Sequence, residues 1–201
     1  MNRNLGMYSS AVTFISVLGF SISMLFASDI GSYLSGCFIA FGFLPMICAF
    51  AAYGKTEEKS FGYTAVAFAS VYTAMVLTVY FAQLTTVRMF SLEEQTLNLL
   101  DFKRFGLFFN YDLLGYCFMS LSTFFISFVI KSGRKADQIL KILLRIHGVF
   151  AVSCFIAPML GLFKPGMTGG DLAGTLILEA WCLYFLPVCI LSFMHFKRKK
   201  D

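Results

Sequence analysis

The residues most able to do chemistry in this 201-residue chain are the few ionisable side chains set inside long apolar runs. A charge held away from water is costly, so it is retained there when it is paired or used. Glu179 is the deepest of them. On a helix it would lie about 12 Å beyond Asp171, too far in to snorkel to water. A carboxyl at that depth suits a proton or cation site, or the counter-charge of a ligand. A hydrogen bond to a neighbouring helix would satisfy it equally well. Asp112 stands at the start of another run, with Tyr116 one turn further on; it is a site candidate or simply a helix cap. Arg88 falls at the same level and could pair with Asp112, with the acidic part of a ligand, or reach for the interface on its own. Tyr80 and Gln83 share the stretch that ends in Arg88. Together with Asp29, these side chains map to one half of a helical bundle. The candidate ligand-binding set is Glu179, Asp112, Arg88, Gln83, Tyr116 and Tyr80.

Below Asp112 a polar stripe continues through Tyr116, Ser120, Thr123 and Ser127, a spacing that lines one helical face. Small hydroxyl residues also favour close packing of membrane helices, so the stripe reads either as a wet wall or as a helix contact. No catalytic residue is assigned. The two histidines, His147 and His195, lack the partners a zinc site needs, and no phosphate-cradling or nucleophile motif is present. No metal or cofactor is expected. All six cysteines lie in apolar runs without a Cys-x-x-Cys pair, as buried packing residues do.

The elements that must position these residues follow from composition. The chain is 58% apolar and 13% charged, with 25 phenylalanines, about half the charge that a water-facing surface requires. Six runs are long enough to cross a bilayer: Tyr8–Phe26, Ser35–Tyr53, Phe61–Leu84, Tyr111–Ile130, Leu140–Leu162 and Leu172–Phe196. None alternates as a barrel strand does, so the expected fold is all-α, a single six-helix transmembrane domain over 1–201. The first run is read as a retained helix, with a signal anchor removed after Ala27 as the alternative.

Lys and Arg set the orientation. Arg3, Lys55, Lys59, Lys131, Arg134, Lys135, Lys141, Arg145 and Lys197 to Lys200 fall on one side, twelve of the 16 basic residues. Arg88, Lys103, Arg104 and Lys164 fall on the other. The basic side is expected to be cytoplasmic and to hold both termini, at the cell (plasma) membrane. The net charge of +5 is therefore a topology signal, and no nucleic-acid partner is expected. Expected partners are membrane lipids, a small molecule or ion, and another membrane protein or a second copy.

The connection between the third and fourth runs is the longest. Ser91-Leu-Glu-Glu94 reads as a capping box opening a short helix to about Arg104. That helix would lie on the interface, anchored by Phe105, Phe108 and Phe109, or would cap the bundle. Asp171 is placed to cap the last helix, and Pro158 and Pro187 to kink the fifth and sixth.

Tyr80-Phe-Ala-Gln-Leu-Thr-Thr-Val-Arg88, followed by Asp112-Leu-Leu-Gly-Tyr-Cys-Phe-Met-Ser-Leu121, resembles a pattern in small bacterial six-helix multi-pass membrane proteins without an assigned activity. The resemblance implies a bacterial membrane setting and no particular chemistry. The function expected from the residues is binding or transport of a small molecule or ion through a polar cavity in the outer half of the bundle. An accessory or structural subunit of a larger complex and a lipid-acting intramembrane enzyme are the alternatives.

Overall fold

Apolar runs of this length leave the backbone no water to bond, so their amides turn inward to their own carbonyls and helices result. The computed structural model describes residues 1–131, 133–164 and 172–199, and among these there is no strand. The helices are α1 (Asn2–Leu25), α2 (Asp29–Ala52), α3 (Lys59–Ala82), α4 (Glu94–Leu100), α5 (Leu107–Ile126), α6 (Lys135–His147), α7 (Phe150–Met159) and α8 (Leu172–Lys197).

Among the described residues five helical stretches are long and apolar enough to cross a membrane: α1, α2, α3 with the turns that flank it (Thr56–Val87), α6 continued by α7, and α8. The fourth apolar run forms α5 but does not join those five, because Asn110, Asp112, Ser120, Ser122 and Thr123 dilute its hydropathy. The fifth run is divided at Gly148 and Val149, not at a proline. Pro158 sits near the end of α7, whereas Pro187 and Pro45 lie inside helices that continue through them. The proposed cap of the last helix, Asp171, lies outside the described residues.

Packing joins α1 to α2, α2 to α3, α3 to α5, α5 to α6 and α7, α6 to α8, and α8 back to α1, which closes a ring. Along one seam α5 runs the length of α3. Tyr80 meets Asp112 at one end, Phe68 stacks on Phe118 at 5.8 Å in the middle, and Phe61 stacks on Phe128 at 5.0 Å at the other. Ser122 ties the same seam by donating to the Ala65 carbonyl at 2.8 Å. The bundle is apolar outside as well as inside. Ile177 and Leu183 are each 70% exposed, while Ser10, Thr13, Ser122 and Thr123 are fully buried. A water-soluble helix would show the reverse, so the surrounding solvent is hydrocarbon.

The connection after α3 departs from expectation. The capping box does not form: α4 begins after Glu93, without a side-chain cap, and ends at Leu100. A tight turn over Phe102–Arg104 follows, and Phe105 takes a left-handed conformation, φ 53°. Phe109 does not anchor in lipid. It is buried and packs on Phe102 at 5.1 Å and on Phe105 at 4.6 Å.

Candidate binding site around Asp112

Four helices bring five aromatics to the centre of the bundle, two of them from α8. Phe43 from α2 meets Tyr72 of α3 at 5.3 Å, and Tyr72 meets Tyr116 of α5 at 5.6 Å. Tyr116 meets Trp181 of α8 at 5.6 Å, Trp181 stacks on Phe185 at 5.2 Å, and Phe185 returns to Phe43 at 6.3 Å. Edge and tilted contacts of this kind suit the aromatic quadrupole, so the circuit is a stiff floor. Asp112 stands one turn above Tyr116 on α5. Tyr80 reaches it from α3 because Gly36 of α2 carries no side chain; a Cβ there would overlap the Tyr80 ring.

The resulting cluster is Asp112, Tyr80 and Tyr116. Asp112 is only 4% exposed. Its Oδ2 accepts from the Tyr80 hydroxyl at 3.3 Å, and the Tyr80 and Tyr116 hydroxyls lie 3.4 Å apart. The other carboxylate oxygen, Oδ1, is buried without a hydrogen-bond partner. Buried polar atoms are nearly always bonded, so an orphaned carboxylate oxygen needs an explanation.

The turn after α4 covers this cluster. Phe102 lies against Tyr80 at 6.1 Å and Tyr33 at 5.9 Å, and Tyr33 against Tyr80 at 5.7 Å. Gln83, in a π-helical turn that prolongs α3, holds the cover down. Its Nε2 donates to the Leu100 carbonyl at 2.7 Å, and its Oε1 accepts from the Phe102 amide at 3.1 Å. Lys103 adds an ion pair with Asp29 at 2.6 Å, and Arg104 pairs with Glu94.

Of the six residues singled out from sequence, Tyr80, Asp112 and Tyr116 meet directly, and Gln83 stands beside them with its amide committed to the covering turn. Arg88 is exposed, whereas Asp112 is buried, and the two share no ion pair among the described residues. Glu179 lies on a different seam, between α8 and α1, where its Oε2 accepts from the Ser21 hydroxyl at 2.5 Å. Its Oε1 is buried and unpartnered. The hydroxyls of Ser120, Thr123 and Ser127 donate to carbonyls of their own helix, Tyr116, Ser120 and Phe124 respectively.

Two polar clusters were not legible in the sequence. His147 joins three helices: the Trp181 indole donates to its Nε2 at 3.1 Å, and Thr123 Oγ1 lies 2.8 Å from its Nδ1. Since an indole N–H only donates, Nε2 must accept and Nδ1 must carry the proton. Nearer the basic end, His195 Nδ1 lies 2.9 Å from Asp137 Oδ1, with both side chains buried, which fastens α8 to α6. Asp137 as a lone acid among basic residues was the available signal for that pair. Among the described residues no group of three His, Cys, Asp or Glu could hold a metal ion. Two apolar grooves mark the flanks, one along α7 and one between α1 and α2, and neither includes Asp112.

Comparison with family models, with curated proteins and with solved structures gives no match.

Proposed function

We propose that this chain is a six-span integral membrane protein, with both termini on the cytoplasmic side, that binds or moves a small molecule or ion at Asp112. The observation that carries the binding role is the unpartnered Oδ1 of a carboxylate buried among aromatic side chains. Leaving such an atom unsatisfied costs stability, and a ligand that supplies the missing donor would offset the cost. The covering turn, held by Gln83, makes the site an occluded one.

Six spans are supported by the α3–α5 seam. A helix of 20 residues is about 30 Å long, and α5 lies alongside an apolar spanning helix from end to end. Its polar residues face the bundle, so its modest hydropathy does not put polar groups into lipid. The basic excess supports a cytoplasmic position for the end that carries Lys55, Lys131 and Lys199, with the Asp112 site in the outer half.

The test is a thermal-shift screen of purified protein in detergent, using inorganic cations, organic ammonium salts and carboxylate salts. At least one class should raise the melting temperature of the wild type and of Arg88→Ala, and fail to do so for Asp112→Asn. If no class stabilises the wild type, or if Asp112→Asn responds as fully, the site is structural.

A second reading, an accessory subunit, has one observation in its favour. Ala151 is the sole buried residue of α7, while Val152, Met159 and the adjoining Leu160 face outward. Stoichiometric co-purification of one membrane protein, lost when these are changed to smaller residues, would establish it.

A further inference from the structure

We infer that the ligand of the Asp112 site is a small organic ammonium ion, an inference that depends on the binding role proposed above. Three features of the site point to that class. The first is a single carboxylate oxygen left without a donor at a buried site. An ammonium N–H supplies the missing donor and neutralises the charge at once.

The second is the wall. Tyr80, Tyr116, Tyr72, Tyr33 and Phe102 surround the carboxylate cluster, linked by ring separations between 5.6 and 6.1 Å. Aromatic faces attract a weakly hydrated organic cation, and the attraction grows when water is excluded. Sodium, potassium or a divalent ion would want a shell of several oxygen ligands. Here one free carboxylate oxygen and phenolic hydroxyls are present, and no three-residue acidic or imidazole group accompanies them among the described residues. A bare proton would make no use of the aromatic faces.

The third is that, among the described residues, the nearby basic side chains are engaged elsewhere. The basic side chains of the covering turn are already engaged, Lys103 by Asp29 and Arg104 by Glu94, so they do not neutralise Asp112. Phe43, Tyr72, Trp181 and Phe185 pack on one another beneath the cluster. Phe102 lies over Tyr80 and is the face a ligand must pass or displace.

The experiment uses the full chain in detergent and two readouts, the melting temperature and the fluorescence of Trp181. That indole is the chain's one tryptophan and packs on Tyr116, so its emission reports on the site. Ethylammonium and tetramethylammonium chloride are titrated against sodium and potassium chloride at matched ionic strength. At least one organic ammonium should give saturable changes in both readouts at a concentration about tenfold below any effect of sodium or potassium. Phe102→Leu, which removes a ring at the cover and leaves Asp112 intact, should weaken that ammonium about tenfold. Asp112→Asn should abolish the response.

If sodium or potassium acts as well as the organic ions and Asp112→Asn removes the effect, the ammonium assignment fails while the binding role of Asp112 stands. An unaltered ammonium affinity in Phe102→Leu overturns the aromatic part of the recognition. If no salt acts on the wild type and Asp112→Asn is simply more stable, the ammonium site and the binding role fall together.

Discussion

Gln83 places the most stringent demand on the site, because one side-chain amide holds the cover by a donor and an acceptor at once. Replacing it by methionine keeps the volume and removes both groups. The Leu100 carbonyl and the Phe102 amide would then lose their partners, which stand at 2.7 and 3.1 Å. For partly buried groups each loss costs about 1 kcal/mol, so the closed turn should be weakened by about 2 kcal/mol. That corresponds to about a 30-fold rise in the population of the open turn. The Asp29–Lys103 ion pair is half exposed on both sides and contributes under about 1 kcal/mol, so Asp29→Asn should open the turn about fivefold at most. Trypsin reads the difference directly, because Lys103 and Arg104 lie in the turn itself. In detergent, cleavage there should accelerate strongly in Gln83→Met and weakly in Asp29→Asn, with cleavage near Lys131 and Arg134 as the internal reference. Gln83→Glu is the sharper variant. It can still accept from Phe102 but sets an oxygen against the Leu100 carbonyl, so it should behave like methionine. Wild-type cleavage rates in both Gln83 variants would refute the idea that this amide holds the cover.

Gly36→Ala should destabilise by about 1–3 kcal/mol, because the new methyl overlaps the Tyr80 ring inside a filled interior; a lowered melting temperature checks it. Thr123→Val leaves the His147 Nδ1 proton without an acceptor and should cost about 1–3 kcal/mol, with Trp181 emission shifted as its histidine partner moves. Six spans require reporters fused at the two ends to respond from the same side of the membrane. Reporters on opposite sides would mean that α5 does not cross.

The helical class and the lipid surroundings could be read from the sequence because both rest on composition over long windows. Single residues in the wrong place do not alter that sum. The division of the fifth run at Gly148 was harder to see than a proline, and Pro187 and Pro45 proved compatible with continuous helices. At the site, Asp112, Tyr116 and Tyr80 could be placed at one level from spacing alone. Spacing gives height along a helix, however, and not azimuth across the bundle. Glu179 therefore turned out to face Ser21 on the α1 seam, and Arg88 to face outward. His147, Trp181 and Thr123 come from three helices with no shared sequence pattern, so only the assembled bundle reveals them.

The polarity of α5 is the feature that connects fold to function. A helix with Asn110, Asp112, Ser120, Ser122 and Thr123 is expensive to place in hydrocarbon, and it becomes acceptable there only when neighbours surround it. The ring of helices provides those neighbours through α3, α6 and α7, and the serine and threonine hydroxyls are then absorbed by carbonyls, one of them across the seam at Ala65. Two oxygens on this helix are the exceptions, Asn110 Oδ1 and Asp112 Oδ1, each buried without a partner. Asp112 is as deeply buried as the hydroxyls around it, yet half of its carboxyl group has no partner. Leucine at this position would fill the space without leaving a buried polar atom unsatisfied. Packing alone therefore accounts for the serines and threonines of α5, and it does not account for Asp112.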